Sequence, residues 1–85
     1  MEIEIITRML NNSTWIDPNK QTVYKFSDKN QLFINGKNHI QYELKERNNQ
    51  VVIKQGSSKM FVVDYVCDFI LNIHNNDEKF MITPA

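Results

Sequence analysis

The chain is poor in the residue types on which several classes of small protein depend. It has one cysteine, Cys67, so it has no internal disulfide and must hold together by its apolar core. Cys67 lies inside an apolar run, where a buried and inert thiol is expected. The only glycines, Gly36 and Gly56, stand apart and cannot build a glycine-rich phosphate loop. Two histidines, His39 and His74, fall short of the three or four convergent donors that a metal needs, and adding Cys67 or Asp64 produces no ligand spacing. No cofactor and no metal are therefore expected.

Neither sign of charge prevails. Ten Lys plus Arg against ten Asp plus Glu give a net charge of +0, with no global field to draw in phosphate backbones or acidic lipids. Nucleic acid and membranes are thus not the expected partners. No apolar segment reaches the roughly 20 residues of a membrane-spanning helix. The stretch MEIEIITRML carries acidic residues where a secretory signal has basic ones. The chain as given reads as cytoplasmic, or as exported if a leader has been removed.

What is present is a strand-like pattern. A content of 41% hydrophobic and 11% aromatic residues in 85 suits one domain over residues 1–85 with a single core. The densest apolar run is Lys59 to Ile73. Phe61, Val63 and Tyr65 alternate on one face, and Phe69, Leu71 and Ile73 alternate again. Val66, Cys67 and Asp68 mark the expected bend or bulge between the two sets. A helix is the rival reading, but the Val, Ile, Phe and Tyr content favours strands.

The remaining chain repeats this rhythm. Ile3, Ile6 and Leu10 fall at helical spacing and predict a short N-terminal helix, stopped at Asn11, Asn12 and Ser13. Trp15 and Ile16 precede a turn at Asp17-Pro18-Asn19. Thr22, Tyr24 and Phe26 alternate, then Leu32 and Ile34 point inward with Phe33 outward, and Asn35-Gly36 offers a tight turn. Ile40, Tyr42 and Leu44 continue the inward set, as do Val51 and Ile53. Phe80 and Ile82 form the last strand, which Pro84 ends. Short polar turns permit hairpins and nothing parallel. The predicted fold is mostly β: an antiparallel meander of six or seven strands rolled into a small barrel behind a short helix.

This order resembles the small bacterial lipocalin-like domains. The resemblance runs through Met9-Leu10 leading to Trp15, Tyr24-Lys25-Phe26, Leu32-Phe33-Ile34 ending at Asn35-Gly36, Ile40 to Leu44, and Phe80-Met81-Ile82. One departure is Ser13, where the family usually carries Gly two residues before the Trp. The resemblance implies a barrel with a cavity for a small apolar ligand. Tyr24, Phe26, Leu44, Phe69 and Leu71 are the inward residues that would line it. Trp15, Tyr24, Phe26, Tyr42, Phe61 and Phe69 are also large enough to fill such an interior.

Three functional readings follow. The first is a non-enzymatic domain that binds a small apolar ligand inside or a protein partner on a sheet face. The second is a structural or homo-oligomeric module that associates through exposed faces or edges, with Phe33, Met60 and Met81 as outward apolar residues and Phe33 as the expected contact face. The third is an enzyme built on Asp64, Asp68 and a histidine, which requires those side chains to converge. Otherwise the carboxylates simply face solvent.

Overall fold

The computed structural model describes residues 3–37, 39–67 and 69–85. Helix α1 (Ile3–Leu10) presents Ile6 and Leu10, both 0% exposed, to the core, with Ile3 and Met9 partly buried beside them. Its acidic residue Glu4 sits in the first turn and Arg8 in the last, matching the helix dipole. Asn12 stops it in the left-handed region, with φ 53.

Nine antiparallel strands follow: β1 (Ser13–Asp17), β2 (Thr22–Phe26), β3 (Gln31–Ile34), β4 (Ile40–Gln41), β5 (Glu43–Arg47), β6 (Gln50–Gln55), β7 (Ser58–Cys67), β8 (Ile70–His74) and β9 (Lys79–Pro84). The count exceeds the six or seven predicted because residues 13–17 form a full strand and residues 40–47 divide into two. Their order in the sheet is β4-β3-β2-β1-β9-β8-β7-β6-β5. The two end strands, β4 and β5, are separated by Tyr42 alone, so one continuous piece of chain pairs with β3 at its start and with β6 along its second half. This hand-over rolls the sheet into a nearly closed barrel. α1 touches both β1 and β5, which lie far apart around the barrel, and so it crosses one end.

The core confirms the alternation across most of the chain. Trp15, Tyr24, Phe26, Leu32, Tyr42, Val51, Ile53, Phe61, Val63, Leu71, Ile73 and Ile82 form one buried cluster with the helix residues. Two aromatic groups organise it. Phe26 meets Tyr42 edge-on at 5.3 Å, and Tyr24, Phe61 and Phe80 contact one another at 5.9 to 6.5 Å. Lys20 lies 5.9 Å above the Phe80 ring and pairs with Glu78, joining the β1–β2 and β8–β9 turns.

The central run departs from the expected phase. β7 is one strand of ten residues, and its register slips between Val63 and Tyr65, not at residues 66–68. Asp64 is the extra residue there, which throws Tyr65 outward (57% exposed) and brings Val66 back toward the core. Cys67 is exposed, not buried, for the same reason. Phe69, expected inside, occupies the β7–β8 turn with φ 66 and is 73% exposed. Met60, expected to face outward, is partly buried against the core. Asp68 lies outside the described residues.

Asparagine does the turning. Asn12, Asn30, Asn35, Asn48 and Asn49 all hold positive φ. Asn35 and Gly36 (φ 55 and 72), with Lys37 N–H bonded to the Ile34 carbonyl at 3.1 Å, form the tight turn predicted there. The side chain of Asn75 caps its own turn, accepting from the Asp77 and Glu78 amides at 2.9 Å each.

Ser13 explains the departure from the glycine pattern. Its hydroxyl lies 2.8 and 2.7 Å from the Met9 and Leu10 carbonyls, to which it can donate, and accepts the Trp15 indole N–H at 2.8 Å. One side chain thus caps the helix and satisfies a buried donor. Ser13→Ala leaves the Trp15 N–H unpaired and is expected to cost about 1–3 kcal/mol in urea unfolding; an unchanged midpoint would show that the indole finds another partner.

Candidate functional site

The barrel's interior residues pack against each other. Of the residues expected to line a cavity, Tyr24 is 8%, Phe26 1% and Leu71 0% exposed, and Leu44 is half-buried against the same core. None of them lines any of the four cavities described below, and Phe69 is not in the interior at all.

Usable space lies outside, on β7, β8 and β9. Register places Tyr65 beside Asn72 and Asn72 beside Met81, a row crossing three strands on the outward face. Tyr65 is 57% and Met81 38% exposed. The row borders a cavity of about 560 Å³ whose walls also include Asp64, Lys79 and Asn19, with Ile73 and Phe80 beneath. Asp64 owes its place to the bulge. Its carboxylate oxygens lie 2.8 and 3.0 Å from Nδ1 of His74, which orients the imidazole. Both side chains of this pair are part-exposed.

Three smaller spaces lie elsewhere. Phe33 is half-buried, 5.9 Å from the His39 ring, and lines a space of about 300 Å³ with Thr14, Val23, Lys25 and Gly36. A cleft of about 40 Å³ lies beside His74, Met60 and Val62. The third, of about 260 Å³, is ringed by Lys45, Arg47, Lys54 and Lys59.

Among the described residues, Asp64 and His74 meet the convergence required by the enzyme reading; Asp68 lies outside them. Among the described residues no hydroxyl bonds the His74 ring, so a base and its orienting carboxylate are present without a bound nucleophile. Nor do three His, Cys, Asp or Glu side chains gather among the described residues in a way that could hold a metal ion. Sequence reasoning missed Tyr65. The signal was the acidic residue inside the apolar run, which is the point where the strand changes phase.

Comparison with known proteins finds no matching family model, no matching curated protein and no matching solved structure.

Two buried phenols carry a pH signature. Burial pushes the Tyr24 hydroxyl above its ordinary pKa of 10.0, reinforced by the carboxylates of Asp17 and Glu78, and burial alone raises Tyr42. Above the ordinary value the unfolded phenols ionise first while the folded ones keep their protons. Their contribution is therefore complete below about pH 10 and is lost as pH rises through the raised folded values. Urea midpoints are expected to fall in this alkaline window, and to fall less steeply in the double variant Tyr24→Phe, Tyr42→Phe. Equal slopes for the two proteins would contradict the assignment.

Proposed function

We propose that the protein is a non-enzymatic, lipocalin-like binding domain that works from the outside of its barrel. Its partner is a protein, which lays an extended segment in the groove beside Tyr65, Asn72 and Met81. The observation that carries this reading is the Tyr65-Asn72-Met81 row, which offers an aromatic anchor, an amide and a flexible thioether over a space of about 560 Å³. Tyr and Met are enriched in interface cores, where a large ring immobilises few torsions for the area it buries. The Asp64–His74 pair and Lys79 add polar groups at the edge.

A small apolar ligand inside the barrel has less support, since the inward aromatic side chains already contact one another. Self-association is the second reading, and Phe69 favours it: an aromatic ring 73% exposed at a hairpin turn is a ready contact for a second copy.

Peptides selected from a displayed random library against the full chain test the first reading. Selected binders are expected to lose about tenfold or more in affinity, ~1.4 kcal/mol, in Tyr65→Ala and Met81→Ser, and to keep it in Phe69→Ser. Binders indifferent to Tyr65→Ala would refute the groove. Sedimentation of the unmodified chain separates the second reading: a concentration-dependent dimer abolished by Phe69→Ser would favour it.

A further inference from the structure

Charge that cancels over the whole chain does not cancel locally. Four of the ten basic residues, Lys45, Arg47, Lys54 and Lys59, converge on Val52 and, with Ser57, enclose the pocket of about 260 Å³. Two of the ten carboxylates, Glu43 and Glu46, share strand β5 with Lys45 and Arg47, and the other eight are spread over the rest of the chain.

The register accounts for the convergence. Lys45 stands opposite Val52, with Arg47 two residues on along the same face of β5, and Lys54 stands opposite Lys59. A slip in pairing between Ile53 and Lys54 turns the strand at that point. Among the described residues, none of the four cations has a carboxylate within 4.0 Å. Glu43, paired in register with Lys54, is exposed and makes no ion pair with it.

Two features make this more than a solvated basic face. Like charges directly opposite each other on paired strands destabilise a sheet, and Lys54 and Lys59 are so placed, while Glu43 on the other side of Lys54 makes no ion pair to offset it. The floor is apolar: Val52 is 9% exposed although it lies on the outward face, where it pairs with the buried Val62 of the next strand. The aliphatic stems of the long side chains around it cover that floor, while Lys45, Arg47 and Lys59 themselves are exposed.

We propose that this pocket binds a small polyanion through a phosphoryl group. Four cations call for more than one negative charge, the Arg47 guanidinium and the Ser57 hydroxyl supply directional donors, and Val52 offers contact to a short apolar portion. The volume lies below the roughly 300 Å³ at which drug-sized ligands begin, so the occupant is small. The site shares no residue with the groove beside Tyr65, and the two stand or fall separately.

The test is an NMR titration of the ¹⁵N-labelled full chain with pyrophosphate, against sodium chloride of matched ionic strength. Saturable shifts confined to residues 45–47, 52–54 and 57–59, with affinity weakened about tenfold or more in the double variant Lys54→Gln, Lys59→Gln, are the expected result. That variant should keep or raise its thermal midpoint, because it removes a repulsion; if it does not fold, Lys45→Gln serves in its place. Shifts no larger than those with chloride, or saturation unaffected by the substitutions, would overturn the proposal. Vesicles of phosphatidylserine and phosphatidylcholine identify the source of the phosphoryl group. Co-sedimentation that pyrophosphate displaces assigns the pocket to a lipid headgroup, no co-sedimentation assigns it to a free phosphate compound, and co-sedimentation that pyrophosphate cannot displace counts against the pocket.

Discussion

Backbone hydrogen bonding along residues 40–47 is the constraint on which the other features rest. A meander has two free edges, and each unpaired edge invites another chain. Here both are given to one stretch: Ile40 and Gln41 complete β3, Glu43 to Arg47 complete β6, and the Tyr42 amide between them bonds to the Asn30 carbonyl at 2.9 Å. The Tyr42 ring turns inward against Phe26 at the same point. Backbone closure and core packing therefore meet in one residue, and α1 covers an end of the barrel that closure creates.

Both proposed surfaces lie outside a filled barrel. The sheet slips register between Ile53 and Lys54 and between Val63 and Tyr65, and each slip places charged side chains on the outward face. The first lies beside the basic pocket; the second adds Asp64 to His74 and turns Tyr65 out beside Asn72. Extra residues of this kind re-aim side chains without breaking a sheet. In this chain they set side chains of both proposed surfaces.

Much of the architecture was legible because burial imposes a period of two on a strand that faces a core on one side. Tyr24 and Phe26, Leu32, Val51 and Ile53, and Leu71 and Ile73 are buried as their alternation indicates. What the alternation hid was the place where it breaks. Within Val62-Val63-Asp64-Tyr65-Val66 an apolar count looks the same for a slip at 64 or at 67, and only pairing with Ile73 and Asn72 decides. Tyr65 and Cys67 were misplaced for that reason, whereas Phe69 falls in the turn between β7 and β8, where the alternation no longer applies. The basic pocket was illegible differently: Lys45, Arg47, Lys54 and Lys59 meet only after two hairpins fold back, so the chain's zero net charge concealed them. Ser13, in contrast, stood visibly where the resembling family has glycine, and its two hydrogen-bonding roles became clear once Trp15 and the helix end were in place.

Native-state amide hydrogen exchange along residues 40–47 tests the closure most directly. Closure predicts protection on both sides of the hand-over, with the Tyr42 amide and the bonded amides of β4 and β5 exchanging far more slowly than the exposed turn around Asn48. Exchange of the whole stretch at the rate of an unstructured peptide would mean that the sheet is open at this seam, and the account of a sealed core with its working surfaces outside would be wrong.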